Sequence, residues 1–198
     1  MASAIPAAQM GPDAFLAWER TQPTRHVYLR GEVFAMAGGS PRHSRLASRM
    51  IAKLDLGLSD RSCDVHTSDL RLALSERHFV YADAVVVCRP IEFRPGTTDV
   101  VTNPTVVIEV LSTSTEAYDR GEKQAGYLGL PSVAHLLLVA QREVRVELYS
   151  RQDDGSFRFT VHGPGAQILL PAIGVALSVD ELYQGAFELP GDDGEART

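Results

Sequence analysis

Hydrophobic and polar positions along the chain change their period several times, and each period predicts a type of element. Apolar residues recur every third or fourth position over Arg42–Leu58, a spacing typical of an amphipathic helix. Short apolar runs elsewhere predict buried strands. The predicted strands are Val27–Ala37 with an interruption at Gly31, Asp64–Leu74, Val80–Cys88, Thr105–Leu111, Ala134–Ala140, Val144–Tyr149, Phe157–Val161 and Ile168–Leu170. The further predicted helices are Pro12–Glu19, Glu116–Leu128 and a closing turn, Val179–Tyr183.

The order of these elements predicts the fold class. From residue 42 onward the order is helix, three strands, helix, strand, followed by further strands on the C-terminal side. Strands joined through a helix usually lie parallel in one sheet. We therefore expect an α/β domain, a mixed sheet covered by helices. No linker divides the chain, so residues 1–190 are predicted to form one domain and residues 191–198 a disordered tail.

Composition narrows the classes of function. The chain has 198 residues, of which 44% are hydrophobic and 22% are charged, and this is typical of a globular domain. No apolar run approaches the ~20 residues of a membrane span. Because Met1–Met10 lacks the features of a secretion signal, we expect a cytoplasmic protein. The two cysteines, Cys63 and Cys88, make neither a zinc motif nor a disulfide framework, and Cys88 is predicted to be a buried thiol.

The charge distribution leaves a nucleic-acid partner open. Net charge is −6, yet the acidic excess lies mainly after residue 149. Arg42, Arg45, Arg49 and Lys53 fall within an arc of about 80° on the predicted helix. Such a stripe can follow a phosphate backbone, and a solvated helix face explains it equally well. Nucleotide-binding and common hydrolase motifs (GxxxxGK[ST], GxGxxG, HExxH, GxSxG) are absent, so no nucleotide cofactor is expected.

Two acids interrupt apolar runs. Asp83 lies in Tyr81–Cys88 and Glu109 in Val106–Leu111. Burying a carboxylate alone is costly, so a basic partner or a shared cation is expected beside them. Hard oxygen ligands suit Mg²⁺ or Mn²⁺ better than zinc. The alternative, that each acid reaches solvent at a strand end, fits Asp83 better than Glu109.

The helix after Glu109 carries further candidate chemistry. Thr113 and Glu116 match a capping box. Asp119, Lys123 and Tyr127 recur every four residues and so share one face. Lys123 is one of only two lysines, and a lysine can orient water and stabilise developing charge. An exposed ion pair with Asp119 is the simpler explanation.

Together these residues carry a resemblance over residues 12–185. The chain resembles the Uma-two family of restriction-endonuclease-like proteins, within the PD-(D/E)XK nuclease superfamily. The matching pieces are Gly31-Glu32, Ser40-Pro-Arg-His43, Ser68-Asp-Leu-Arg71, Ala82-Asp-Ala-Val-Val-Val87, Pro104-Thr-Val-Val-Ile-Glu-Val-Leu-Ser112, Tyr118-Asp-Arg-Gly-Glu-Lys123 with Tyr127, Leu130-Pro-Ser-Val133 and Val144-Arg-Val-Glu-Leu-Tyr149. The resemblance implies a restriction-endonuclease-like αβββαβ core, DNA as substrate and a homodimer. It also implies that Asp83 and Glu109 hold a divalent metal that activates water.

The sequence departs from the superfamily motif at two places. Ala82 replaces the motif proline, and Leu111 stands where a lysine is expected. The resemblance suggests that Lys123 takes over the role of this lysine. It also adds Glu32 as a lower-ranked catalytic acid. His43, Ser112, Asp119 and Tyr127 are candidate accessory residues.

Three hypotheses follow from the residues and the resemblance. The first is a Mg²⁺-dependent endonuclease that cleaves DNA, with Arg42, Arg45, Arg49 and Lys53 on the backbone. The second is a catalytically weak or inactive nuclease scaffold that binds nucleic acid or protein, which the displaced lysine and the acidic charge favour. The third is a nuclease subunit that depends on a partner for recognition. Convergence of Asp83, Glu109 and Lys123 around a metal-sized gap would distinguish the first from the second.

Overall fold

The computed structural model describes residues 10–36, 38–58 and 62–192. Within them the helices are α1 (Pro12–Glu19), α2 (Pro41–Gly57), α3 (Glu116–Tyr118), α4 (Gln124–Gly129) and α5 (Val179–Tyr183). A π-helical turn, Asp119–Lys123, joins α3 to α4, and a 3₁₀ turn spans Pro171–Ile173. We call α3, the π-helical turn and α4 together the site helix. No helix in these ranges is long and apolar enough to cross a membrane.

Strands of the described residues form a six-stranded, a five-stranded and a two-stranded sheet. The strands, in chain order, are β1 (His26–Leu29), β2 (Glu32–Ala35), β3 (Cys63–Thr67), β4 (Arg71–Ser75), β5 (His78–Tyr81), β6 (Ala84–Cys88), β7 (Val100–Val101), β8 (Val106–Val110), β9 (His135–Val139), β10 (Val146–Arg151), β11 (Phe157–His162), β12 (Gln167–Leu170) and β13 (Val175–Ser178). The six-stranded sheet has the order β11-β10-β9-β8-β6-β3, and the five-stranded sheet has the order β2-β1-β5-β4-β7. β12 pairs with β13.

The predicted αβββαβ order is confirmed in the six-stranded sheet. Its members are α2, β3, β6, β8, the site helix and β9. β8 and β9 are parallel, as expected of strands joined through a helix, and β3, β6 and β8 pair antiparallel. β10 and β11 extend the sheet beyond β9, so the extra strands on the C-terminal side are also confirmed.

The chain leaves the six-stranded sheet after β3 and returns to it at β6, and two strand predictions are wrong for this reason. The predicted strand Asp64–Leu74 divides at a turn into β3 and β4, which lie in different sheets. The predicted strand Val80–Cys88 divides into β5 and β6, which also lie in different sheets. The second run looks continuous because β5 and β6 are both largely buried, whereas in the first run the half-buried β3 continues the alternating pattern into β4. The return crossing is at Ala82 and Asp83, so the first candidate acid lies where the sheets meet.

Two apolar layers cover the six-stranded sheet. On one face Leu46, Met50 and Leu54 of α2 pack with side chains of β6, β8 and β9. On the other face the alternate residues of β6, β8 and β9 pack against β4, β5 and Tyr127 of the site helix. Strands covered on both faces have few polar positions, and this explains their continuous apolar runs.

Several smaller predictions are corrected. The predicted strand Val27–Ala37 is divided into the hairpin of β1 and β2, whose turn contains Arg30 and Gly31, both with positive φ (52° and 106°), and Ala37 lies outside the described residues. Thr113 is not the N-cap of the site helix. The helix begins at Glu116 after Thr115, while Thr113 donates to Asp192. β7 and β13 lack strong patterns and were not predicted.

The two cysteines form a disulfide, so the prediction of a buried thiol at Cys88 is wrong. The antiparallel register of β3 and β6 sets Cys63 directly opposite Cys88, which the sequence spacing alone does not reveal. The predicted tail is described only at Gly191 and Asp192. The rest of it lies outside the described residues.

Candidate active site

Asp83 is held at the crossing by two donors. Its Oδ2 accepts a 2.7 Å hydrogen bond from the Val110 backbone N–H, and His43 Nε2 lies 3.2 Å from the same oxygen. His43 is in the first turn of α2, where Ser40 caps the helix by accepting from the His43 N–H. Gly39 lies so close that a Cβ there would be 2.7 Å from His43 Nδ1. The end of β8 and the start of α2 therefore fix this carboxylate.

Glu109 is buried in the middle of the six-stranded sheet, with 3% of its surface exposed. Lys123 Nζ lies 2.7 Å from its Oε1, and the Tyr127 hydroxyl donates to the same oxygen over 2.6 Å. The basic partner that a buried acid requires is thus Lys123, which is itself only 6% exposed. The simpler explanation, an exposed ion pair with Asp119 alone, is wrong.

Asp119 completes this buried group. Its Oδ1 lies 3.5 Å from Lys123 Nζ, and its Oδ2 accepts a 2.6 Å hydrogen bond from Thr115. The Thr115 and Ser112 hydroxyls are 2.8 Å apart. A line of polar groups therefore runs from Ser112 at the end of β8 to the lysine.

The side chains predicted to share one face of the site helix lie near Glu109, although a π-helical turn interrupts the α-helix. Lys123 closes the π-helical turn, and Asp119 opens it. A π-helical turn inserts an extra residue into a helix and is frequent at functional sites. Here its two ends both face Glu109 from one side.

The acids and the lysine border one cavity of about 340 Å³. Asp83, Glu109, Lys123 and Asp119 line one side together with His43 and Ser112. The β1–β2 hairpin and the segment after it line another side with apolar side chains: Val27, Leu29, Phe34, Ala35 and Met36. The site therefore lies between the two larger sheets rather than on an open face of one.

Burial and neighbouring charges shift the pKa values of the two acids in opposite directions. Burial raises the pKa of Glu109 to about 8, although Lys123 opposes the shift. Burial would also raise the pKa of Asp83, but the hydrogen bond and charge of His43 outweigh it and hold that pKa below its usual value. Two carboxylates whose pKa values are pushed apart are typical of acid–base sites.

The pKa values of Lys123 and His43 both lie above their ordinary values. Burial lowers the pKa of Lys123, but Glu109, Asp119 and Asp83 outweigh this effect, so the pKa lies above its ordinary value. Burial likewise lowers the pKa of His43, and the hydrogen bond to Asp83 reverses the shift. Lys123 is therefore a hydrogen-bond donor and a positive charge at neutral pH, not a base.

The two acids fit a hard divalent cation. Among the described residues, the contacts to Asp83 fall on Oδ2 and those to Glu109 on Oε1, leaving Oδ1 and Oε2 without a donor. No group of three or more His, Cys, Asp or Glu in these ranges could hold a metal by itself. Mg²⁺ is commonly held by one or two carboxylates, with water and phosphate completing its shell. The donor set suits Mg²⁺ or Mn²⁺ and not a structural zinc ion.

The structure separates Glu32 from the other candidate acids. Glu32 is exposed on β2 and does not border the cavity, although its neighbours Phe34 and Ala35 do. Glu32 directly follows the hairpin turn, where its side chain is exposed to solvent.

The four basic residues predicted to form a stripe on α2 differ in their burial and in their partners. Arg42 is fully buried: its guanidinium donates to the backbone carbonyls of Leu189 and Gln141 and lies 5.2 Å from the Phe187 ring. It therefore has no access to a DNA backbone, and the prediction is wrong for this residue. Arg49 donates to the Glu181 carbonyl, and Lys53 pairs with the Glu181 carboxylate. Arg45 is exposed.

Sequence reasoning missed the apolar side of the cavity. Phe34 and Met36 fall in a predicted strand, where apolar side chains indicate only a core. The Val110 N–H was also missed, since no sequence pattern shows a backbone donor bonded to a side chain from another strand.

The fold and the family of this chain are shared with known proteins. A crystal structure of a protein titled a putative nuclease belonging to DUF820, from Anabaena variabilis, superposes with a TM-score of 0.73 at 18% identity, covering 89% of this chain and 99% of that one. The architecture is therefore that of a nuclease-like fold. Residues 12–180 match the Uma2 family, described as "Putative restriction endonuclease", and the chain belongs to this family.

Two relatives from Synechocystis sp. extend the similarity. The uncharacterized protein slr1290 is 34% identical over 181 residues, covering 91% of this chain and 94% of its own. The uncharacterized protein sll1609 is 31% identical over 156 residues, covering 78% and 88%. The similarity to both spans the region that holds Asp83, Glu109 and Lys123, because each covers most of the chain.

Proposed function

We propose that the protein is a divalent-metal-dependent endonuclease that hydrolyses DNA phosphodiester bonds. Asp83 and Glu109 hold Mg²⁺ or Mn²⁺, and Lys123 assists the attacking water. The observation that carries the proposal is the convergence of these three side chains, from separate segments, on one cavity. Membership of a restriction-endonuclease family supports it.

Each side chain of the site has its own role in the proposed hydrolysis. When bound, the divalent ion polarises the phosphate and supplies a water of lowered pKa. Lys123 is protonated, so it orients water by donating a hydrogen bond and stabilises the charge that develops on the phosphate. Tyr127 and Asp119 hold Glu109 and Lys123 in place. His43 holds Asp83 in position through the contact of its Nε2 with Oδ2.

The scaffold hypothesis is weakened by the position of Lys123. Leu111 is buried and leaves the usual lysine position apolar, as that hypothesis noted. Yet Lys123 contacts Glu109 at 2.7 Å, so the charge is supplied from the site helix instead. The homodimer and the cytoplasmic location stay predictions, and size-exclusion chromatography with light scattering tests the first.

Isosteric variants of the two acids test the proposed function. Asp83→Asn and Glu109→Gln should each lower Mg²⁺-dependent cleavage of labelled DNA at least 100-fold, because an amide replaces a carboxyl group that can bind the cation as an anion. Isothermal titration calorimetry should detect Mg²⁺ or Mn²⁺ binding to the wild-type protein with DNA present and no binding to Glu109→Gln.

Glu92→Gln is the matched control, since Glu92 is exposed in a loop and makes no side-chain contact with the cavity. It should cut like the wild-type protein. If both acid variants cut as fast as this control, the proposed function is wrong. Thermal unfolding of all the variants establishes that they are folded.

A further inference from the structure

The apolar side of the active-site cavity is unexplained by phosphodiester chemistry. Hydrolysis needs carboxylates, a cation and a donor, and one side of the cavity supplies them. The β1–β2 hairpin faces them with Val27, Leu29, Phe34 and the following Met36. Phe34 and Met36 are half-buried, so parts of both side chains remain accessible. A site for phosphate alone would leave this apolar surface without a purpose.

Aromatic rings border the same space. Phe34, Tyr81 and Tyr118 belong to three different elements and all line the cavity. Tyr118 is half-buried and is held by a 2.8 Å hydrogen bond to His78. Aromatic rings are the surface on which unpaired bases stack, and this stacking tolerates any base.

The size of the cavity limits what enters it. About 340 Å³ lies near the lower end of the range for small-ligand pockets, ~300–1,000 Å³. One nucleotide suits such a volume. A base that is still paired does not, because its partner strand and the neighbouring base pairs would have to enter with it.

The surface of α2 does not offer a continuous row of accessible basic side chains for the backbone of duplex DNA. Arg42 is buried, and Arg49 and Lys53 are engaged with α5. Arg45 is the one member of the stripe that is exposed among the described residues of α2 and that contacts neither α5 nor the interior. A long row of phosphate contacts is what gives duplex binding its strength.

We propose that the β1–β2 hairpin forms a base-binding subsite, so that the enzyme takes a nucleotide of DNA that is unpaired. The base lies against Phe34 and Met36, and its phosphate faces Asp83, Glu109 and Lys123. Lys123, which lines the cavity, supplies the positive charge that complements the phosphate. This inference rests on the proposed function and adds the substrate class, single-stranded or locally opened DNA.

Fluorescence anisotropy with two probes tests the subsite without requiring cleavage. The probes are a labelled 15-nucleotide single strand and the blunt duplex made from it, both in Ca²⁺, which takes the oxygen ligands that Mg²⁺ takes. The single strand should bind at least tenfold more tightly. Phe34→Leu keeps apolar volume but loses the ring, and it should weaken single-strand binding about tenfold, equal to about 1.4 kcal/mol.

Two further variants separate stacking from folding. Phe34→Tyr keeps a ring and should bind as the wild-type protein does. Phe159→Leu removes a ring that is 49% exposed on β11, outside the cavity, and should also leave binding unchanged. Equal affinity for the duplex and the single strand, or wild-type binding by Phe34→Leu, would overturn the proposal.

Cleavage in Mg²⁺ distinguishes this inference from the function on which it rests. If the protein cuts duplex DNA and Phe34→Leu cuts it equally well, the subsite is wrong and the nuclease assignment stands. If Phe34 governs single-strand binding but no DNA is cut under any of these conditions, the nuclease assignment fails and the subsite stands.

Discussion

Residues that are close in this sequence can have very different surroundings in the structure. Arg42 and Arg45 lie three positions apart on one predicted face, yet one is fully buried and the other exposed. The chain near Leu189 returns over the start of α2 and covers Arg42. A buried guanidinium needs its donors satisfied, and backbone carbonyls and the Phe187 ring satisfy them here.

Replacing these two arginines separates a structural role from a surface role. Arg42→Ala should lower the free energy of unfolding by about 2–4 kcal/mol, because it removes charged hydrogen bonds to the buried Gln141 carbonyl and the part-buried Leu189 carbonyl. Arg45→Ala should change it by less than about 0.5 kcal/mol. Urea unfolding followed by circular dichroism measures both. Equal stability of the two variants would contradict the buried role of Arg42.

The candidate acids were predictable because they break apolar runs, and Lys123 because its type is rare in the chain. The same reasoning misplaced Glu32, which directly follows the hairpin turn and is exposed there. It also misplaced Arg42, which is covered by a segment far away in sequence. A helical pattern shows which residues share a face, but it does not show what covers that face.

The site helix depends on close packing at a single glycine. A Cβ at Gly126 would lie 2.6 Å from Leu74 Cδ1 and 3.1 Å from its Cβ, so α4 rests directly on β4. Lys123 and Tyr127 flank this contact in sequence. The approach of the helix to the five-stranded sheet therefore sets where both side chains meet Glu109.

Adding a methyl group at this contact should disturb stability and activity together. Gly126→Ala is expected to cost about 1–3 kcal/mol of stability through overpacking, and to slow cleavage by moving Lys123. Gly121→Ala is the control: Gly121 is exposed, has nothing within 4 Å of an added Cβ, and alanine favours helix. It should be neutral or stabilising. Thermal unfolding and the DNA cleavage rate report the two effects, and a Gly126→Ala protein as stable as Gly121→Ala would contradict the packing argument.

Helices and strands were predictable where one hydrophobic pattern continued over the whole element. α1, α2, β8, β9 and α5 lie within about a residue or two of their predicted positions. The strands β3 to β6 were not, because burial on both faces hides the turn between β5 and β6 inside one apolar run, and the alternating pattern of β3 continues across the turn into β4. The π-helical turn was also invisible, since a spacing of four residues reads as ordinary α-helix.

At the scale of the whole molecule, the fold buries histidines that would be charged in an unfolded chain at mildly acidic pH. His135 lies in β9, its Nδ1 is 3.0 Å from the Ser150 hydroxyl, and burial lowers its pKa to about 4. The unfolded chain therefore binds the proton more readily than the folded protein, and stability falls as pH drops below about 6.5 toward 4.

This linkage predicts the acid sensitivity of the fold. Between pH 7 and pH 5, His135 should account for about 2 kcal/mol of lost unfolding free energy. His135→Gln cannot be protonated, so the difference between its stabilities at the two pH values should be smaller by that amount. Urea unfolding of both proteins at pH 7 and pH 5 measures this difference. Equal losses in the two proteins would show that His135 is not responsible.

The division of the cavity between the two larger sheets has a consequence for how this architecture can diversify. The six-stranded sheet and its helices hold the carboxylates, while the β1–β2 hairpin borders the same cavity from the other sheet. On the function and the subsite proposed above, substitutions in the hairpin would alter which substrate is accepted while the carboxylates stay unchanged. Chemistry and recognition would then be inherited on separate stretches of chain, so selection could act on one without undoing the other.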